Sequence, residues 1–333
     1  MLPPLPVEVF ALIGLAIAFD FLNGFHDSSN IVATMISSRA LGPRRALIIA
    51  AAAEAVGPFL FGVAVARTIG SEIVSDAVVT LPAIMAALAA AIGWNLITWF
   101  FGIPSSSSHA LIGGIAGAVI AGSGLDTLKW AGLGKVLIAL FISPVVGLIA
   151  GYLMMSLVLF LAHGMSPRIN TFFKRAQIVT ALGLALSHGT NDAQKTMGVI
   201  TLGLVVSHVQ ATFTVPMWVI GLSAGAIALG TLTGGWRLIR TLGGRFYTIR
   251  PVHGFTAQAA SAAVILGAAL LGGPVSTTQV VSSAIVGAGS AERMSKVRWG
   301  VAQQMLVAWL LTIPMSALLG AGVYALIRDY APR

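Results

Sequence analysis

Two heptads 165 residues apart carry the side chains best suited to chemistry in this chain: Gly24-Phe25-His26-Asp27-Ser28-Ser29-Asn30 and Gly189-Thr190-Asn191-Asp192-Ala193-Gln194-Lys195. Each interrupts an apolar stretch. A charged side chain in hydrocarbon costs about 2.5 to 3.5 kcal/mol on insertion scales, so an intramembrane Asp marks a functional site, and two at matching places mark a duplicated one. Asp27 and Asp192 can each hold a cation or a proton. His26 and Asn191 can donate or accept beside them, and the glycines let backbone approach a ligand. Lys195 stands at i+3 from Asp192, where a local ion pair is expected, whereas no second charge lies near Asp27 in sequence.

A second element is also duplicated, 170 residues apart: Pro104-Ser105-Ser106-Ser107-Ser108-His109 and Pro274-Val275-Ser276-Thr277-Thr278-Gln279. In each case a long apolar run leads into Gly and Pro, then a hydroxyl cluster, then a shorter apolar run such as 110–121. This pattern predicts a helical hairpin with a Ser/Thr-rich tip. The returning helix starts there with free N–H groups and the positive end of its dipole, which with the hydroxyls suits a tetrahedral oxyanion. An anion alone would be repelled by the carboxylates. A cation or proton bound between them relieves that repulsion, which is a chemical basis for symport.

These groups need helices to hold them. Of 333 residues, 57% are apolar and 9% charged, against roughly 25% charged in soluble domains, so the chain is read as a polytopic membrane protein. Apolar segments near 7–37, 46–66, 78–101, 136–161, 178–206, 215–235, 252–271 and 299–327, with shorter ones after residues 108 and 279, give about ten hydrophobic units. The fold class is therefore all-α, because open sheet leaves backbone groups unsatisfied in lipid. No room remains for a soluble catalytic domain. Zero cysteines exclude disulfides and thiolate sites, and residues 1–8 lack the basic region of a signal peptide.

The net charge of +9 does not point to nucleic acid, because the basic residues sort by position. Arg39, Arg44 and Arg45; Arg168, Lys174 and Arg175; Arg237, Arg240, Arg245 and Arg250; and Arg293, Lys296 and Arg298 fall on one side if each motif segment crosses once. That side is cytoplasmic by the positive-inside rule. Arg67, Lys129, Lys135, Arg328 and Arg333 fall on the other, so both termini are expected outside. Basic residues follow the first heptad and precede the second, so the two motif segments are expected to run in opposite directions. Residues 1–165 and 166–333 then form two inverted-topology repeats with discontinuous helices, as in secondary transporters that bind at the midplane. A passive channel has no need of them.

Other polar residues extend the candidate set. Glu54 sits inside 46–66 among small residues, as a coupling group or a structural hydrogen bond, and Asp20, Asn23 and Asn95 lie near the motifs. His163 and His208 fall in connections, and the tryptophans fit packing or interfacial belts rather than a cofactor site. Ser/Thr clusters often serve as glue between membrane helices; their duplication here favours a site. A hydrolase using a Ser near His109 or His188 is the alternative from another class. Against it, Gln279 replaces the histidine in the second copy, and no Gly-x-Ser-x-Gly elbow occurs.

The strings Asn-Gly-Phe-His-Asp-Ser-Ser-Asn-Ile-Val-Ala-Thr at 23–34 and Ser-His-Gly-Thr-Asn-Asp-Ala-Gln-Lys-Thr-Met-Gly at 187–198 resemble the duplicated signature of the inorganic phosphate transporter (Pit) family. The hydroxyl elements follow in the family's order. Resemblance to the bacterial low-affinity branch implies phosphate import across the inner membrane, coupled to protons, often with phosphate carried as a neutral metal complex. Other members use sodium, and a few carry sulfate, so a sulfate permease of the same fold is the alternative reading.

The resemblance also implies a homodimer, no enzymatic activity, no cofactor and no structural metal site. By position it puts Asp27 and Asp192 at the centre, with Asn30, Asn191, Ser105, Ser106, Ser107, Ser108, Ser276, Thr277 and Thr278 around substrate and cation. His26, Asn23 and Glu54 join the cation side, and His109, Lys195, Gln279 and Gln258 are further candidates. Gln279 stands where many relatives have His, and Gln258 lies where many have Glu. Each removes a titratable group from the second half.

Overall fold

The structure, a computed structural model, describes residues 5–76 and 78–328. Regular structure among them is helical: α1 Val7–Ser37, α2 Pro43–Leu60, α3 Ala64–Arg67 continued by a π turn Thr68–Glu72, α4 Leu81–Phe101, α5 Ser107–Ser123 and α6 Trp130–Leu161. Then come α7 Ile169–Val206, α8 Met217–Thr233, α9 Trp236–Gly244, α10 Pro251–Leu270, α11 Thr277–Glu292 and α12 Trp299–Ile327. Five helices are long and apolar enough to cross a membrane, and two bent pairs raise this to seven. The chain is a multi-pass membrane protein. With each bent pair counted once, the helices form ten units that correspond to the expected hydrophobic segments. Arg333 lies outside the described residues.

The order of elements from α1 to α6 recurs from α7 to α12. The α2–α3 unit bends by 73° and the α8–α9 pair by 72°. The long helices α6 and α12 carry Pro144 and Pro314 near their middles. Packing crosses between the halves, with α5 on α12, α11 on α6, α1 on α8 and α2 on α7. Both hairpin tips open on a glycine in the left-handed region, Gly102 at φ 67° and Gly272 at φ 73°, where a side chain on Cβ would be strained.

The heptad glycines have a different use from the expected one. A Cβ on Gly24 would sit 2.1 Å from the Ile227 carbonyl oxygen of α8, and one on Gly189 would sit 2.4 Å from the Glu54 carbonyl oxygen of α2. They let neighbouring helix backbones approach, not a ligand. Small residues at crossings are how membrane helices gain contact without a hydrophobic driving force between them.

At one end of the bundle Glu292 joins three elements. Its Oε2 lies 2.6 Å from His253 Nε2 and 2.8 Å from Lys296 Nζ, and its Oε1 accepts from Arg250. Burial raises the Glu292 carboxyl, but the bonds from Lys296, His253 and Arg250 outweigh it and hold it at about 2. Its folded value lies below the unfolded one, so this stabilisation is present above about pH 4.3 and is lost as pH falls toward 2.

Two outcomes follow for purified protein in detergent. Gly24→Ala and Gly189→Ala should each destabilise by about 1 to 3 kcal/mol through overpacking, read as a lower thermal midpoint, while Gly14→Ala, with nothing within 4 Å of its Cβ, should not. Between about pH 5 and pH 3 the wild-type midpoint should fall more steeply than that of Glu292→Gln. Equal slopes would remove Glu292 from the account.

Candidate functional site

Asp27 lies within α1 and Asp192 within α7, and both are fully buried. Helical spacing puts Asn23 one turn below Asp27, and His188 one turn below Asp192. The two hairpin tips deliver hydroxyls to these carboxylates. Ser106 and Ser276 make the tips: each side chain accepts from the backbone N–H three residues on, from His109 at 3.1 Å and from Gln279 at 3.3 Å. Such N-caps fix where α5 and α11 begin. Of the next two residues of each tip, Ser107, Thr277 and Thr278 meet the aspartates and Ser108 meets Lys195.

The contacts repeat by position. Ser107 donates to Asn23 Oδ1 at 2.6 Å, with Asp27 Oδ2 3.3 Å away. Thr277, its counterpart, donates to Asp192 Oδ2 at 3.0 Å and lies 3.4 Å from Asp27 Oδ2, so one hydroxyl spans both carboxylates. Thr278 donates to Asp27 Oδ1 at 2.9 Å and accepts from Asn30 Nδ2 at 3.1 Å. Lys195 Nζ donates to Asp192 Oδ1, to Ser108 Oγ at 2.6 Å and to the Val275 carbonyl at 3.1 Å. The expected Lys195–Asp192 pair forms, and it reaches both tips as well.

His188 is the residue that sequence reasoning passed over, treating it only under the hydrolase alternative. Its Nε2 lies 3.3 Å from Asp192 Oδ2 and 3.8 Å from Asp27 Oδ2, and its Nδ1 lies 2.6 Å from Glu54 Oε1. It therefore links three carboxylates, and Glu54 joins the cluster through it. The signal was the i, i+4 spacing to Asp192. Asp27 is met by His26, its neighbour in sequence, with Nδ1 3.0 Å from Oδ1, and gains His188 from the other half. Ligand atoms of Asp27, His188 and Asp192 all fall within 4.8 Å of one another. Carboxylate oxygens with an imidazole nitrogen suit a proton or a small cation.

Several candidates lie apart from this cluster. Ser105 donates to Thr98 Oγ1 at 2.7 Å, and the Ser106 and Ser276 side chains serve as caps. Asn191 donates to the Gly273 carbonyl at 3.2 Å, on the approach to the second tip. Gln258 donates to Thr34 Oγ1 at 2.9 Å and accepts from Thr180 at 2.8 Å, tying α10 to α1 and α7 away from the aspartates. His109 and Gln279, equivalent by position, meet each other with Nδ1 and Nε2 3.2 Å apart. Among the described residues neither His109 nor His188 has a serine hydroxyl on its ring, so the geometry of a Ser–His nucleophile is not there.

Comparison with known proteins places the chain in a family. The phosphate transporter family matches residues 23–165 and again 161–320. The chain is 46% identical to the probable low-affinity inorganic phosphate transporter of Bacillus subtilis, over 94% of this chain and 95% of that one. It is 44% identical to the protein of the same description from Rhizobium meliloti, over 94% of each. A solved structure titled "The sodium-dependent phosphate transporter" superposes with a TM-score of 0.88 at 25% identity, covering 98% of this chain and all of that one. With buried carboxylates between two hydroxyl-bearing helix starts and matches spanning nearly its whole length, this chain belongs to the phosphate transporter family, a family of membrane transporters and not of enzymes.

Proposed function

We propose that the protein is a secondary active symporter that imports inorganic phosphate. The observation that carries this is Thr277, which touches both Asp27 and Asp192 from the start of α11, opposite Ser107 at the start of α5. Helix N-termini that carry hydroxyls suit a phosphate oxyanion. Two carboxylates in the same place do not, unless a cation or proton accompanies the anion. Binding both together lets the site fill, whereas the anion alone would face its like charge in a buried site.

Phosphate at neutral pH keeps a proton that it can donate to a carboxylate, whereas sulfate has none. That difference favours phosphate over sulfate at a site whose acceptors are Asp27 and Asp192. The co-ion is a proton or sodium held between these carboxylates and the anion. The cluster of Asp27, His188 and Asp192 also suits a divalent metal carried with phosphate. On this reading residues 1–165 and 166–333 are inverted halves that rock about the shared site. The carrier is a homodimer in the inner membrane with both termini outside.

Every site side chain named here is buried to 2% exposure or less. Entry from either face therefore requires the helices around the tips to part. Such a two-sided opening is what alternating access between inverted halves supplies.

Proteoliposomes under separately imposed sodium and proton gradients, with and without magnesium, test the reading. One gradient should drive accumulation of labelled phosphate, sulfate should compete weakly, and Asp27→Asn and Asp192→Asn should abolish accumulation. Thr277→Val removes a charge-assisted hydrogen bond worth about 1.5 to 3 kcal/mol, and should lower uptake efficiency about ten- to hundredfold. Phosphate uptake untouched by neutralising either aspartate would sink the mechanism.

A further inference from the structure

The two heptads differ where it matters most for charge: Asn30 in the first stands where Lys195 stands in the second. We propose that the Lys195 ammonium is a built-in cation, permanently filling the second half's cation position and leaving the position at Asp27 as the exchangeable one. The inference rests on the symport reading and specifies which of its two carboxylates takes the travelling ion.

The geometry is that of a bound ion. Lys195 is 1% exposed, and its Nζ contacts a carboxylate oxygen of Asp192, the hydroxyl of Ser108 and the carbonyl of Val275. These are the oxygen types that ligate hard cations, and an ammonium has three N–H donors to match them. A merely local pair at i and i+3 would end at Asp192. Here the ammonium gathers oxygens from α7 and from both hairpin tips, joining elements that a dissociable cation would otherwise have to join.

The first half differs at this position. Asn30 donates a neutral amide to Thr278, the counterpart of Ser108, and Asp27 is met by Thr278, Thr277, Ser107 and His26, with His188 Nε2 at 3.8 Å, but by no ammonium. A buried ion pair is expensive to separate, so Lys195 keeps Asp192 neutralised whichever way the carrier faces. The carrier then needs one travelling cation fewer than two unpaired carboxylates would require.

The test uses the full chain, with sodium and protons as the probes. The cation-to-phosphate ratio is read from reversal potentials in proteoliposomes, and cation dependence from phosphate binding to purified protein. Lys195→Asn, which copies the first half, should raise the ratio by about one cation per phosphate and add a cation requirement to phosphate binding. An unchanged ratio in an active Lys195→Asn carrier overturns the inference. Should that variant fail to fold, Asn30→Lys carries the test from the other side. It places an ammonium beside Asp27, and should bind phosphate without the cation. Asn30→Lys that still requires the cation, or that binds no phosphate, also overturns it. A wild-type carrier that takes up no phosphate under either gradient removes the symport reading and this inference together, whereas an active wild type with unaltered variants removes this inference alone.

Discussion

Two buried carboxylates share one cluster of hydroxyls, and the rest of the fold is arranged around making that tolerable. Asp27 and Asp192 are fully buried, so their oxygens must find donors inside the bundle. Intact membrane helices cannot supply enough, because their backbone N–H groups are already bonded. Breaking two helices into hairpins solves this. The tips carry Ser107, Thr277 and Thr278 to the aspartates and Ser108 to Lys195, and the N-caps Ser106 and Ser276 fix the start of each returning helix. Close crossings at Gly24 and Gly189 then bring α8 and α2, with Glu54, against the motif helices.

The same constraint explains how the halves divide the work. Position for position, Ser107 and Thr277 treat their aspartates alike, and His109 and Gln279 meet across the junction of the tips. The differences collect around charge. His188 stands opposite Asn23 and Lys195 opposite Asn30, so at these two positions the second half brings cationic or titratable groups where the first has neutral amides, while His26, Glu54 and His109 belong to the first. On the proposed reading, near-symmetry permits two-sided access and the asymmetry assigns the ions.

Much of this was legible in the chain itself. Carboxylates and hydroxyl clusters stand out against an apolar background, so the aspartates, the tips and the helical units follow from composition and repetition. Which hydroxyls of a tip face the carboxylates did not follow. Ser105 to Ser108 look alike as letters, and only the capping geometry separates Ser106 from Ser107. The spacing from Ser106 to the amide of His109 was a readable clue to that cap. His188 was hidden for a similar reason, since its role depends on Glu54 arriving from another helix. Gln258 entered the candidates through its position in the resemblance, whereas packing decides what it touches; it bonds Thr34 and Thr180. The heptad glycines were assigned to a ligand because helix crossings cannot be seen along one strand of sequence.

The absence of cysteine from this chain offers a direct measurement of whether the buried hydroxyl cluster is the transport site. In Ser107→Cys, a membrane-impermeant thiol reagent applied to one face and then the other of oriented vesicles reports when the tip is reached. The account predicts labelling from each face as the driving gradient is reversed, slowed by saturating phosphate together with the co-ion. Labelling from one face only, or at a rate that phosphate and co-ion leave unchanged, would contradict it.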